Sequence, residues 1–137
     1  MGEPMPLAAG QIAAAMGGRL IAGDEDRYVT GFSIDTRTLA SGDLFFAIAA
    51  KRDGHDFAPA ASRRRAAGIV VSRPVALGDD NESFVIEVAD TTVALQDLAR
   101  YVRRRSGAKV IAITGSAGKT TTKDTIAELI ASRYRVV

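Results

Sequence analysis

Val110-Ile111-Ala112-Ile113-Thr114-Gly115-Ser116-Ala117-Gly118-Lys119-Thr120-Thr121-Thr122 decides how the rest of this chain is read. Four apolar residues, mostly β-branched, run into a turn of small residues with two glycines. Lys-Thr-Thr then opens a helical pattern. That order predicts a strand, a phosphate loop and a helix. Gly115 and Gly118 let the backbone curl until several N–H groups point at one anion. The helix opening near Lys119 adds the positive end of its dipole. Lys119 offers a mobile charge for the β- and γ-phosphates of a nucleoside triphosphate, and the Thr120 hydroxyl can ligate the Mg2+ that travels with it. The longer pattern G-x-x-x-x-G-K-[ST] would put glycine where Ile113 stands, and the shorter G-x-x-G-K-T-T is present instead. A lone G-K-T is a weak signal. The apolar strand before it and the helix after it separate this one from an ordinary glycine-rich turn.

Outward from that loop, the chain is long enough for one medium domain, or for a small domain and a piece of another. Apolar residues make up 47%, so a core can be buried. The net charge is only +2, with 14 arginines against 4 lysines, which does not call for nucleic acid or an acidic partner. Cysteine is absent, which excludes a disulfide framework and a thiolate metal site. No apolar run approaches membrane-spanning length, so no membrane insertion is expected. Met1-Gly2-Glu3-Pro4-Met5-Pro6 is acidic and proline-broken, unlike a signal peptide. An ATP-type loop without an export signal points to the cytoplasm.

Taken in order, Leu7 to Met16 reads as a short helix stopped by Gly17-Gly18. Arg19 to Ala22 and Val29 to Asp35 read as strands, the second with Phe32 and Ile34 on one side. Ser33-Ile34-Asp35-Thr36-Arg37-Thr38 is a polar cluster at a strand end. Its hydroxyls and arginine could hold phosphate or a uracil edge, but the residues alone favour a capped turn with Asp35 paired to Arg37. Asp43 to Ala49 is a buried central strand. Lys51 to Phe57 is a charged loop holding the only histidine, His55, read as a structural hydrogen-bonder rather than a catalyst. Asp56 is expected to cap a helix over Phe57 to Ala67, with Pro59 in its first turn. Gly68 to Ser72 and Phe84 to Val88 are further strands. Asp90 caps a helix to about Arg105 whose buried stripe is Ala94, Leu95, Leu98 and Val102. Lys109 to Thr114 is the strand of the opening motif. A helix from Lys119 to about Tyr134 turns Ile126, Leu129 and Ile130 inward, and Arg135-Val136-Val137 begins another strand. The arginine runs 63 to 65 and 103 to 105 fall on helices without interleaved aromatics and read as solvated faces.

Four segments carry a family resemblance. They are Asp35-Thr36-Arg37 with Gly42-Asp43-Leu44-Phe45-Phe46-Ala47; Asp53-Gly54-His55-Asp56-Phe57 with Ala66-Ala67-Gly68; Asp90-Thr91-Thr92 with Ala94-Leu95 and Leu98-Ala99; and Thr114 to Asp124. Together they resemble the N-terminal part of a Mur ligase of the MurF type, in order and over nearly the whole chain. The serine after Gly115 and the Lys123-Asp124 pair favour this type over MurE, whose loop usually reads G-T-N-G-K-T. A folylpolyglutamate synthase shares a G-x-x-G-K loop but lacks the D-T-R…G-D-L-F segment. One departure stands out: Ala49-Ala50-Lys51-Arg52 replaces the family's usual Lys-Gly-Glu-x-x, one residue shorter and without its glycine.

The resemblance implies an α/β fold: a small mixed-sheet N-terminal domain, residues 1–88, that binds a UDP-sugar-peptide, followed by the first βα units of a P-loop central domain, residues 89–137, that binds ATP. It places Ser33, Asp35, Thr36 and Arg37 at the UDP-substrate. It places Gly115, Ser116, Ala117, Gly118, Lys119, Thr120 and Thr121 on ATP, with Lys119 catalytic and Thr120 on Mg2+. The implied reaction belongs to peptidoglycan precursor synthesis. ATP phosphorylates the terminal carboxylate of UDP-N-acetylmuramoyl-tripeptide, and the amine of D-Ala-D-Ala attacks the acyl-phosphate. The dipeptide site and the adenine pocket lie further along a complete ligase. The chain alone is therefore expected not to turn over, and a non-catalytic module that binds the UDP-precursor is the competing expectation.

Overall fold

In the computed structural model, which describes residues 6–137, the chain opens with Leu7–Ala8 (β1) and the helix Ala9–Met16 (α1). Arg19–Ala22 (β2), Tyr28–Val29 (β3), Gly31–Ser33 (β4) and Asp43–Phe46 (β5) follow. A 3-10 turn at Gly54–Phe57 leads into Ala58–Arg63 (α2), and Gly68–Val71 (β6), Phe84–Glu87 (β7), Thr91–Ser106 (α3) and Lys119–Ala131 (α4) complete the series. Strands β4, β5, β6 and β7 lie side by side and parallel. Strand β2 pairs antiparallel with β7 at one edge, giving the order β2-β7-β6-β5-β4. Strands β1 and β3 form a separate antiparallel pair. The α/β class and the mixed sheet are as the resemblance implies.

The sheet is apolar on both faces because alternate residues leave the pleat on opposite sides. Leu44, Phe46, Val70, Phe84 and Ile86 share a core with Ile12 of α1 and Ala94 and Leu98 of α3. Phe45, Ile69, Val71 and Val85 meet Leu39 and Ala58 and Ala61 of α2 on the other face. Fully burying side chains of this size contributes about 1.5–3 kcal/mol each. The Thr91 hydroxyl donates to Ala47 O at 2.7 Å, tying the first turn of α3 to the end of β5. Asp90 caps α3 as expected, its carboxylate accepting from Val93 N–H at 3.0 Å. Leu95 and Val102 of the expected stripe pack at the margin of this core. The arginine runs sit at helix ends, Arg103 to Arg105 in the last turn of α3, where cations complement the dipole.

Several local expectations are corrected. The first helix starts at Ala9 because Leu7 and Ala8 are drawn into a ladder with Tyr28 and Val29. The run from Val29 to Asp35 is split between β3 and β4, and Phe32 and Ile34 stay exposed at 48% and 61% on the sheet edge. Asp53, not Asp56, is the capping carboxylate, accepting from His55 N–H at 3.0 Å in front of the 3-10 turn. The helix expected to reach Ala67 ends at Arg63, and Arg65 takes up φ +61° as the chain turns into β6.

Two compact units are present, one running to Gly107 and one from Ala108 to Val137. Helix α3 belongs with the first, since it buries Ala94 and Leu98 there. In the second unit the expected strand over Lys109 to Thr114 is not formed, and neither is one at Arg135 to Val137. A strand exists through its neighbours' hydrogen bonds, and no ladder reaches these segments among the described residues. Helix α4 likewise leaves Leu129 at 74% exposure instead of turning it inward. No helix among the described residues is long and apolar enough to cross a membrane.

Candidate functional site

Strands β4 and β5 run parallel, and the loops leaving their C-terminal ends bend over the sheet edge. In open parallel sheets that end is where ligands sit. Between these loops lies a cleft of about 700 Å³. Residues 34 to 37 form one wall, Phe45 and Ile48 the floor, and residues 50 to 52 with Gly54 and Phe57 the other wall.

The first wall is a polar turn built from its own side chains. The Ser33 hydroxyl donates to Asp35 O at 2.8 Å and accepts from Asp35 N–H at 3.1 Å. Asp35 Oδ1 accepts from the Arg37 amide at 2.9 Å, and its Oδ2 from Arg37 Nη2 at 2.7 Å. The Arg37 side chain and then its amide hold the Asp35 carboxyl down to about 2, with Arg64 adding a further positive field. The same pair pushes Arg37 upward. The capped turn is thus the geometry found. It also keeps a permanently charged guanidinium at the cleft. Of the four residues expected there, Asp35, Thr36 and Arg37 line it, and Ser33 lies behind, orienting the Asp35 backbone.

The second wall is a closed loop. Ala49 bridges Asp53, and Gly54 N–H donates to Ile48 O at 2.8 Å. Gly54 is required by this approach, since a Cβ there would stand 2.6 Å from Ile48 N. Lys51 and Arg52 are exposed on this wall and Phe57 borders it. With Arg37 they give the cleft three cations against one carboxylate, Asp35. An anionic ligand with an apolar part suits such a lining. By residue type alone these residues read as a charged loop, because nothing local shows that the loop folds back to face Asp35; only the family resemblance sets the loop near the nucleotide-sugar. His55 is buried and hydrogen-bonded, in keeping with a structural role.

The second unit holds the segment expected to form a phosphate loop. Gly115 and Gly118 adopt φ +145° and +73°, and α4 begins at Lys119. No side chain caps α4. Its first backbone bond runs from Thr122 N–H to Gly118 O at 3.0 Å, so helix geometry leaves the amides of residues 119 to 121 without intrahelical acceptors. A hollow of about 260 Å³ is lined by Ile111, Ile113, Lys119, Thr120 and Lys123. Ser116, Ala117 and Thr121 are exposed outside that lining. An uncapped helix start beside two lysines fits a phosphate chain. For Mg2+ the fit is narrower. Thr120 offers a single hydroxyl, and no cluster of three or more His, Cys, Asp or Glu suited to a metal occurs among the described residues.

No family model matches the chain. It is 44% identical over 108 residues to the UDP-N-acetylmuramoyl-tripeptide–D-alanyl-D-alanine ligase of Synechocystis sp., spanning 77% of this chain and 23% of that ligase. Among solved structures, a crystal structure of MurF from Acinetobacter baumannii superposes with a TM-score of 0.81 at 33% identity, covering 94% of this chain and 28% of that one. MurF from Thermotoga maritima, solved in complex with ADP, gives a TM-score of 0.69 at 32% identity, over 80% of this chain and 25% of that one. The chain thus spans about a quarter of the length of the relatives it matches.

Proposed function

This chain is homologous to the N-terminal quarter of MurF-type Mur ligases, and from that premise we propose that it supplies the UDP-precursor site and the ATP phosphate loop of such a ligase. The ligase joins D-Ala-D-Ala to UDP-N-acetylmuramoyl-tripeptide in cytoplasmic peptidoglycan synthesis. The observation that carries the reading is the cationic cleft at the ends of β4 and β5, which gathers Asp35, Thr36 and Arg37 against an apolar floor.

In this reading residues 1–88 hold the nucleotide-sugar-peptide, and the segment from Ala108 begins a P-loop unit. Arg37 meets the diphosphate, with Asp35 fixing its guanidinium. The amides of residues 115 to 121 and the Lys119 ammonium bind the triphosphate and offset the charge that gathers on the transferred phosphoryl group. A Mg2+ on the Thr120 hydroxyl would neutralise phosphate charge. D-Ala-D-Ala is bound by parts of the ligase that these residues do not align with.

Calorimetric titration of the chain with UDP-N-acetylmuramoyl-tripeptide, with UDP and Mg-ATP as comparisons, tests the reading. Saturable precursor binding, lost in Arg37→Ala, is expected. A folded chain that takes up no precursor would overturn it. A second reading for the isolated chain, a precursor-binding module without turnover, rests on the same cleft. Amide formation by these 137 residues alone would sink that one.

A further inference from the structure

The second wall of the cleft is held from behind by a buried imidazole and a guanidinium. His55 is 3% exposed and does not line the cleft. Its Nε2 accepts from Ser72 N–H at 2.9 Å, just beyond β6. An amide N–H can only donate, so the ring carries its proton on Nδ1, which faces Asp53 Oδ1 at 2.6 Å and donates to it. Asp53 Oδ2 accepts from Arg73 Nη2 at 3.0 Å, and the same nitrogen reaches Asp56 Oδ1 at 3.2 Å. Three residues of the loop that carries the wall, Asp53, His55 and Asp56, are therefore fastened to Ser72 and Arg73. The Ser72 hydroxyl lies 3.2 Å from Nε2, the spacing of a nucleophile and its base. Ser72's own amide already occupies that lone pair, which leaves no base for a hydrolytic role.

We propose that His55 is a positioning residue: through Asp53 and the end of β6 it fixes residues 49–57 as a wall of the cleft, and so sets the affinity for the ligand without touching it. Gly54, Phe57 and the backbone carrying Lys51 and Arg52 keep their places only while the clasp is closed. The tight turn at Gly54 has no slack to absorb a shift, because its backbone already abuts Ile48. The inference rests on reading the cleft as the precursor site.

The test uses the full chain with His55→Ala, His55→Asn, which keeps a donor for Asp53, and Arg73→Ala, which leaves the core untouched. Amide hydrogen exchange is followed at Gly54 and Asp56, whose N–H groups bond Ile48 O and Asp53 O. Precursor affinity is read by calorimetry. His55→Ala is expected to speed exchange at both amides about tenfold, with β5 and β7 unchanged, and to weaken the precursor about tenfold. His55→Asn recovers part of both losses, and Arg73→Ala shows a smaller loss of the same kind. Unchanged exchange in the wall, or equal acceleration across the sheet, would overturn the clasp. So would unchanged affinity in a variant whose wall has loosened. If the unsubstituted chain takes up no precursor, the proposed function falls, while the exchange pattern still decides whether His55 holds the wall.

Discussion

Arg37 closes a two-pronged pair on Asp35, with Nη2 2.7 Å from Oδ2 and Nε 3.0 Å from Oδ1. Both residues are in the wall of the cleft, so the pair shapes the site and also makes the fold sensitive to acid.

The acid sensitivity has a definite direction. Asp35 falls from its ordinary 3.8 to about 2 in the folded chain, because of the Arg37 side chain and amide. Asp53 is lowered further, by His55 first and then Arg73. A lowered carboxylate contributes stability that is complete above its unfolded value and is lost as the pH falls through its folded one. Urea midpoints are expected to be level with respect to these two groups above pH 5 and to drop as the pH falls below about 4, the Asp35 share first and the Asp53 share at still lower pH. Asp35→Asn should flatten part of that drop. A drop of full size in Asp35→Asn would show that the pair contributes nothing.

Thr91 joins α3 to the sheet through one buried hydrogen bond, to Ala47 O at 2.7 Å. Thr91→Val keeps the shape and leaves that carbonyl without its partner. A loss of about 1–3 kcal/mol is expected by urea unfolding, since an orphaned buried acceptor costs its desolvation. Thr91→Ser should retain most of the stability. Equal losses in both variants would assign the effect to packing.

Arg65 is the one non-glycine residue with a left-handed backbone among those described, at φ +61°. Its carbonyl accepts from Gly42 N–H at 2.9 Å, so the strained turn is pinned in place. Arg65→Gly removes a Cβ penalty of about 1 kcal/mol, and glycine's greater freedom in the unfolded chain takes back part of the gain. A rise in melting temperature is expected. A fall would mean that the arginine side chain outweighs the backbone strain.

Lys119 and the cleft lie in different compact units. Lys119→Ala is expected to weaken Mg-ATP at least about tenfold and to leave precursor affinity unchanged. The two calorimetric titrations read this directly. An equal loss of both ligands would show that the units are coupled.

Local chemistry made much of the fold legible. Alternation separates Phe45 from Leu44 and Phe46 across the sheet, and Asp90 marks the start of α3. Asp35, Thr36 and Arg37 could be assigned to a strand-end loop because turn chemistry is written in consecutive residues. The opposite wall could not. Asp53 and Asp56 are equally good capping residues by type, and the choice is made by Gly54 meeting Ile48 and by Arg73, which arrives from beyond β6. Val110 to Ile113 misled for the converse reason. Their composition is that of a strand, but a strand needs a partner that composition cannot supply.

That partnerless run has a consequence for handling the protein. Val110 and Ile111 are 61% and 56% exposed, in a β-branched segment outside any ladder of the described residues. Such a segment is a template for pairing with its own copies. Concentrated solutions of the chain should therefore form cross-β aggregates that grow from the lead-in to the phosphate loop. Ile111→Lys should delay them without altering the melting of the sheet unit, and thioflavin fluorescence against time would show it.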